Sequence, residues 1–404
     1  MKLSKYSYIP LTYLLLNVKI GSLGETFPIT LATFTILFIA FCVRGISKNK
    51  ILLSFGLLIC LVLFNKIFGR PLDPSKYFTS LMLFIYVGTV SSLIYSSTFI
   101  KLKNNNTLIY AVKRVILIVV AISVLEVLEL LILGSSQLIS FFSKVLIYSN
   151  EYLINFLQYG ALRSNSLYFE PAFYSLVLIS MWLCLRQLEY RNKLFDIIVF
   201  VGVLSSGSFS GLMTFIILFG IEMILVYSER KSLKKKIPYI ILSLLVLIIV
   251  IYFLLPYILI RLGELGSAGT SSYYRIIGPL KIVSSALTNI DGIIQFGSLY
   301  ELVSSFGILN GSQVGKTLDN GIYVLIVHFS WLAILAIAVY LFCFMKIFCS
   351  EVKINRNGKD KGIVILLLFV PLSLMFTGAI FSPEYIFTII APVIARKINK
   401  DYGN

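Results

Sequence analysis

The sequence predicts an all-α integral membrane protein with about twelve transmembrane helices in a single polytopic domain, residues 1–404. Three observations lead to this fold class. Hydrophobic residues make up 58% of the chain and charged residues 13%, and the mean hydropathy of +0.93 lies outside the range of soluble globular proteins. Apolar runs recur from the N-terminus to residue 395. Lys and Arg are concentrated between some of these runs and sparse between others, as in multispanning proteins.

Most of the apolar runs have a length suited to crossing a bilayer, which takes about 20 mostly apolar residues. In chain order these runs cover residues 6–21, 26–43, 51–68, 77–100, 108–133, 171–187, 209–228, 238–260, 320–345 and 363–381. Two shorter runs, 194–206 and 384–395, are ambiguous by length alone. The charged segments that flank them therefore decide how they are interpreted.

The first short run lies between two basic segments, RQLEYRNK (186–193) and ERKSLKKK (229–236). Both segments have the Lys and Arg content of cytoplasmic loops, so the chain between them crosses the membrane an even number of times. The run 194–206 is therefore predicted to be a crossing that turns at SSGSFSG (205–211).

The second short run lies between KINRNGKDKG (353–362) and the RKINK tail (396–400), which also have the composition of cytoplasmic segments. By the same parity, 384–395 is a short return crossing after a break at SPE. The total becomes twelve crossings, with both termini in the cytoplasm.

This topology divides the charges unevenly between the two faces. Of the 35 Lys and Arg residues, 25 fall on the cytoplasmic side, nine on the periplasmic side, and Lys19 lies within the first helix. The net charge of +17 is therefore a signal for membrane orientation rather than a nucleic-acid patch. His328 is the one histidine and the five cysteines form no CxxC pair, so no metal site and no cofactor are predicted.

Two predicted periplasmic segments are long, about 134–170 and 261–319. Both keep apolar and aromatic residues at amphipathic spacing, as in LISFFSKVLIY, which predicts short helices on the outer face. Non-helical backbone near membrane depth is tolerated where it packs on protein or lines a wet cavity. We therefore expect a site that opens to the periplasm.

The first of these segments ends in RSNSLYFEPAF (163–173), in which Pro171 occupies the first position of a helix and Glu170 the N-cap. A functional interpretation makes Glu170 a base that faces outward and Arg163 a phosphate ligand. In the structural interpretation, Glu170 caps the helix and complements its dipole, while Arg163 reaches lipid headgroups. Both interpretations fit the residues.

The second segment carries Arg261 at its start and SSYYR, ending in Arg275, within it. A guanidinium donates two hydrogen bonds at once and keeps its charge, which suits phosphate binding. Structural or lipid-facing arginines are the alternative. Tyr273 and Tyr274 are candidate platforms for sugars, or aromatics of the membrane interface.

The tenth helix opens with Asp319 and Asn320, both good N-caps, and carries His328 well inside the span. A lone histidine at such a position is more often packed and hydrogen-bonded than catalytic. The turn 205–211 is interpreted as a tight connection in which small residues let two helices approach closely.

Glu126 and Glu129 lie three residues apart, on one face of the fifth helix. Carboxylates within a membrane are costly and usually face a polar interior, so this pair favours a proton-coupled transporter. Pairing with Lys19 or Lys66, or lining a wet cavity, explains the same residues.

The order of these motifs resembles the Wzy-type O-antigen and capsular polysaccharide polymerases. The resemblance rests on R-x-x-S-x-x-x-E-P at 163–171, the small-residue turn at 205–211, YYR at 273–275 and DN-x-x-Y at 319–323. It covers residues 150–345, with the first five helices matching only as apolar spans.

The resemblance implies a GT-C-like, metal-independent glycosyltransferase at the periplasmic face of the bacterial inner membrane. Such an enzyme transfers a growing glycan from undecaprenyl pyrophosphate to the sugar of a new lipid-linked repeat unit. Implied partners are these lipid-linked glycans, the bilayer and a chain-length regulator, and not nucleic acid. The residues that match are Glu170 and Asp319 as catalytic candidates, and Arg163, Arg275, Arg261, Tyr274, Asn320 and His328 as pyrophosphate or glycan ligands.

Two alternatives accompany this resemblance. O-antigen ligases of the same fold usually carry a histidine at the position of Asp319, which favours a polymerase here. The turn 205–211 lacks the Ser-Arg pair common in related enzymes, which weakens a phosphate role there. A polysaccharide flippase or other transporter would show two similar halves and short outer loops, and this chain has no clear internal repeat.

Overall fold

A computed structural model describes residues 8–18, 29–68, 74–100, 105–142, 144, 146, 163–227, 320–353 and 361–400, together with single residues between 263 and 294. The chain divides into two compact units. Unit 1 comprises residues 1–62, 82–216 and 379–404, and unit 2 comprises residues 63–81 and 217–378. The motif that precedes Pro171 belongs to unit 1.

The described part of the chain is almost entirely helical. In chain order its elements are α1 Tyr8–Leu15, α2 Ile29–Cys42, β1 Val43–Ile46, α3 Lys48–Phe68, α4 Pro74–Ser96, β2 Ser97–Phe99, α5 Asn106–Leu133, α6 Gln137–Phe142, α7 Pro171–Gln187, α8 Lys193–Ser205, α9 Phe209–Tyr227, α10 Gly321–Lys353, α11 Lys361–Ser373 and α12 Pro383–Lys400. Four of these helices, α3, α4, α5 and α10, are long and apolar enough to cross a membrane, judged by length and composition. The chain therefore has the character of a membrane protein.

The predicted apolar runs coincide with these helices, with three departures. Within the described residues 8–18, the run 6–21 is helical only over Tyr8–Leu15, and Val18 forms an isolated antiparallel β-bridge with Leu146. The run 77–100 is helical only to Ser96, after which β2 pairs antiparallel with β1, joining Phe99 to Val43 and Ser97 to Ile46. β-Branched and aromatic residues at Thr98 and Phe99 favour this extended pairing. The run 363–381 is helical only to Ser373. The predicted span 238–260 lies outside the described residues.

Local signals explain several helix ends. Gly134 ends α5 in the left-handed conformation (φ 66°), and its N–H donates to Leu130 O at 3.2 Å. Asn192 caps α8, since its Oδ1 accepts from the N–H groups of Leu194 (2.9 Å) and Phe195 (3.3 Å). The predicted break at SPE begins α12, where Ser382 Oγ accepts from the Tyr385 N–H at 3.2 Å.

Helix α7 is the centre of unit 1. Every residue from Pro171 to Gln187 is buried, as expected for a helix that is apolar on all sides. The helices α12, α8 and α5 pack against it. Its buried hydroxyl groups bind neighbouring elements: Ser180 Oγ lies 2.6 Å from the Tyr13 hydroxyl and donates to Thr388 O at 2.5 Å.

A buried ion pair joins the C-terminal end of α7 to the start of α8. Arg186 Nη2 lies 2.6 Å from Asp196 Oδ1, with side chains only 5% and 11% exposed. The same carboxylate oxygen accepts from Trp182 Nε1 at 3.0 Å, and Arg186 Nη1 donates to Tyr190 O at 3.0 Å. Nearby, Arg396 of α12 donates to Gln187 Oε1 at 3.1 Å.

In unit 2, α10 packs against α11. The Tyr340 hydroxyl donates to Leu367 O at 2.5 Å. Helix α10 is kinked at Ser330, whose φ of 48° and ψ of −130° are not helical.

Candidate functional site

The segment from Arg163 to Glu170, called the motif loop below, leads directly into the N-terminus of α7. Its middle is buried: Ser164 and Ser166 are 0% exposed and Tyr168 is 1% exposed. Its charged ends, Arg163 and Glu170, are half-buried. The loop therefore presents an arginine and a carboxylate at partly accessible positions on a tightly packed base.

Glu126 of α5 holds the middle of the motif loop. This glutamate is 0% exposed, and its Oε2 accepts from the Ser164 hydroxyl and from the Ser166 N–H, the latter at 2.9 Å. Ser166 has a backbone φ of 51°, a value that residues other than glycine rarely adopt. Its hydroxyl donates to Val119 O at 2.8 Å, about two turns along α5 from Glu126. Helix α5 thus binds the loop through both the backbone and the side chain of Ser166.

A second attachment joins the motif loop to the end of α8. The Ser164 N–H donates to Ser205 O at 3.0 Å, and the Ser205 hydroxyl lies 2.5 Å from that of Ser123 on α5. The Tyr174 hydroxyl lies beside these two serine hydroxyls. Polar groups of α5, α7 and α8 thus meet next to the loop: Ser123 and Tyr174 are buried and Ser205 is half-buried.

The predicted turn at 205–211 is confirmed, with Gly207 in the left-handed conformation at φ 56°. The Ser208 N–H donates to Ser206 Oγ at 3.1 Å, and the Gly211 N–H donates to Ser208 Oγ at 3.2 Å. A Cβ atom at Gly211 would lie 2.2 Å from Ser175 Oγ of α7. Glycine is therefore required where α9 passes α7.

Tyr168 fixes the C-terminal half of the motif loop. Its hydroxyl donates to Tyr13 O at 3.1 Å, and its ring stacks on Tyr174 with centroids 6.0 Å apart. Burial raises the pKa of the Tyr168 phenol, so the group stays protonated and remains a donor. The Asn17 side chain also contacts this half of the loop: with its amide nitrogen donating to Leu16 O, its amide oxygen accepts from the Phe169 N–H.

Glu170 occupies the predicted N-cap of α7, in extended backbone with φ −150° and ψ 157°. Its carbonyl oxygen accepts the first helical bond, from the Tyr174 N–H at 2.9 Å. Its carboxylate makes no capping hydrogen bond to the amides of α7, all of which the structure describes. The side chain is therefore not used as a cap of α7.

Glu129, the second carboxylate of α5, has a similar arrangement at another segment. Its Oε2 accepts from the Ser136 hydroxyl and from the Leu138 N–H, both at 3.1 Å, at the start of α6. Glu126 and Glu129 thus bind the two polypeptide segments on either side of the undescribed residues 147–162. The sequence left this pair open between a transporter role, pairing with Lys19 or Lys66, and the lining of a wet cavity. The hydrogen bonds to residues 136–138 and 164–166 were not predicted, because the three-residue spacing places both carboxylates on one helix face but does not identify their partners.

Two further predicted site residues belong to unit 2. Asn320 is the predicted cap of α10, since its Oδ1 accepts from the Ile322 N–H at 3.0 Å. His328 is buried, at 5% exposure, two residues before the kink at Ser330. Arg261, Tyr274, Arg275 and Asp319 lie outside the described residues. Among the residues that are described, no three His, Cys, Asp or Glu side chains come together as a metal site would need.

Comparison with known proteins gives a consistent result over the full length. The model of the WcaD colanic acid polymerase family matches residues 6–398. A protein of Escherichia coli (strain K12) named "Putative colanic acid polymerase" is 44% identical over 399 residues, which cover 98% of each chain. No solved structure matches the chain.

Proposed function

The chain belongs to the WcaD colanic acid polymerase family, and from this premise we propose that it polymerises oligosaccharide repeat units of colanic acid or a closely similar polysaccharide. The repeat units are carried on undecaprenyl pyrophosphate, and the motif loop faces the periplasm. The family supports the resemblance to Wzy-type polymerases and favours polymerisation over ligation or flipping. The feature of the molecule that carries the proposal is the motif loop, with its buried centre and its two half-buried charged ends.

The proposed reaction is a displacement at the anomeric carbon of the growing glycan. A hydroxyl oxygen of the incoming repeat unit attacks this carbon, and the bond between it and the pyrophosphate oxygen breaks. The hydroxyl proton passes to a carboxylate, and undecaprenyl pyrophosphate leaves with the bonding electron pair. The step requires a base close to the hydroxyl and fixed positive charge close to the leaving group.

Glu170 is the proposed base. It is half-buried and lies at the N-terminus of α7, directly after the buried part of the motif loop. Because its carboxylate does not cap α7, protonation of this group during the reaction would not break a cap of the helix. Asp319 is the alternative base that the motif comparison offers.

Arg163 is the proposed pyrophosphate ligand. Its guanidinium provides two parallel donors and a charge that is not lost at neutral pH. It begins a loop whose next residue, Ser164, is hydrogen-bonded to both α5 and α8, which fixes the backbone from which the arginine extends. Arg275 and Arg261 are further candidates for the same charge, and Tyr274, Asn320 and His328 for glycan contacts, as the motifs predict.

The test is polymerisation of lipid-linked repeat units by purified protein. Glu170→Gln keeps the size of the side chain and removes its charge. If Glu170 is the base, turnover should fall by about 100-fold or more. Glu189→Gln is the matched control, since Glu189 is an exposed carboxylate outside the motif loop. Full activity of Glu170→Gln would transfer the role to Asp319.

Two further measurements bear on the reaction itself. EDTA should leave the rate unchanged if no divalent metal takes part, and a loss of activity would contradict that part of the proposal. Deletion of the gene should leave single repeat units on the lipid carrier or its acceptor. A complete absence of translocated or attached repeats would indicate a flippase or a ligase instead.

A further inference from the structure

The burial of the Glu126 carboxylate carries a large cost in free energy. It is completely buried within an apolar helix of 28 residues, where an ionisable side chain is costly and is usually retained for a function. Both of the hydrogen bonds given for its Oε2 come from the motif loop, from Ser164 and from Ser166. The group therefore serves the loop and not the packing of α5 on its neighbouring helices.

One of the two donors, Ser166, is also the residue of the loop with the least favourable backbone. Ser166 has a φ of 51°, so its conformation must be imposed by its surroundings. The bond from its N–H to Glu126 and the bond from its hydroxyl to Val119 O supply this constraint. Ser164, the other donor, is the residue directly after Arg163. The position of the Arg163 backbone thus depends on the Glu126 carboxylate.

We propose that Glu126 is a positioning residue that sets the geometry of Arg163 and Glu170 by holding the motif loop in its strained conformation. This inference rests on the proposed function of those two residues. Catalytic groups displaced by about 1 Å lose on the order of 100-fold in rate. The effect should fall on kcat, because the displaced groups act on charge that develops during the reaction.

The experiment compares Glu126→Leu and Glu126→Gln, with Glu129→Leu as matched control. Glu129 is on the same helix and accepts from a serine hydroxyl and a backbone N–H in the same way, but at α6 rather than at the motif loop. Activity is measured per folded molecule, after size-exclusion chromatography in detergent. Glu126→Leu should lose about 100-fold in kcat with little change in KM. Glu126→Gln, whose amide oxygen can accept both bonds, should keep most of the activity, and Glu129→Leu should keep wild-type kcat.

A second measurement does not require catalysis. Phe169 is 43% exposed, so Phe169→Cys in a cysteine-free variant carries a nitroxide label on the motif loop. The spectrum should show an immobilised label in the parent and a mobile one in the Glu126→Leu variant. An immobilised label in both would overturn the inference, as would wild-type kcat in Glu126→Leu or equal losses in Glu126→Leu and Glu126→Gln. Failure of the wild-type protein to polymerise repeat units would refute the proposed function instead, and the label would still report on the loop.

Discussion

Asp196→Ala should destabilise unit 1 strongly, because it leaves the Arg186 guanidinium without its counterion. The Arg186 side chain is 5% exposed and lies 2.6 Å from Asp196. Removal of one partner of a buried pair costs about 3–5 kcal/mol. Trp182 Nε1 loses the same acceptor, and an unsatisfied buried donor costs about 1–3 kcal/mol. The two losses share one oxygen and are not additive, so about 3–5 kcal/mol is the expected total.

The double variant Arg186→Met/Asp196→Ala separates the two contributions. Replacement of a buried ion pair by apolar groups is often neutral or stabilising. The double variant then leaves the buried Trp182 N–H without its acceptor, at a cost of about 1–3 kcal/mol, while the half-buried Tyr190 O loses the donor Arg186 Nη1. Stability is measured by titration with SDS in mixed micelles, followed by tryptophan fluorescence. Lys193→Ala is the control, since it removes an exposed charge from the same basic segment. Equal destabilisation of the single and double variants would refute the reasoning.

Three other outcomes are expected. Arg163→Lys should lose most polymerisation at normal protein levels, because lysine lacks the two-pronged donor geometry; wild-type glycan length would instead indicate contact with lipid headgroups. Gly211→Ala should destabilise the protein by about 1–3 kcal/mol, because the new Cβ would lie 2.2 Å from Ser175 Oγ. Gly220→Ala on the same helix is the control: its Cβ would meet nothing within 4 Å, so this variant should be neutral or stabilising. Equal midpoints of SDS unfolding for the two variants would contradict this prediction. Single cysteines at exposed positions of the segment 134–165, such as Ser135 and Gln137, should react with an impermeant maleimide in spheroplasts of a cysteine-free variant. Single cysteines at 229–236 should not react, and labelling of this second group would refute the topology.

Most helix positions could be predicted from the sequence because they depend on local signals. The predicted run 171–187 has the same bounds as α7, which begins at a proline. The predicted runs 194–206 and 209–228 match α8 and α9 to within one residue. The pairing of β1 with β2 was not predicted, because apolar residues continue past Ser96 and hydropathy does not distinguish a helix from a short strand.

The candidate site could be predicted only in part from the sequence. Arg163 and Glu170 were found from their spacing and from Pro171, both of which are local. The role of Glu126 depends on a contact with Ser164 across 38 residues, and no periodicity in either segment encodes the identity of the partner. The same limit applies to Tyr168, whose hydroxyl reaches Tyr13 O across 155 residues. Hydrogen bonds between segments that are distant in sequence can be identified only once the three-dimensional structure is known.

The burial of α7 on all sides ties the assembly of unit 1 to the synthesis of α12, which follows α7 by about 200 residues. Part of its covering is α12, and Ser180 reaches Thr388 O across 208 residues. At about 5–20 residues per second, the ribosome needs roughly 10–40 s to supply that partner after α7 has emerged. During this interval α7 must be covered by lipid or by the insertion machinery. A chain truncated before Pro383 would insert most of its helices but would lack α12, the helix that covers one side of α7. The helix that carries the motif loop at its N-terminus therefore completes its packing only after α12 has been made, far from it in sequence.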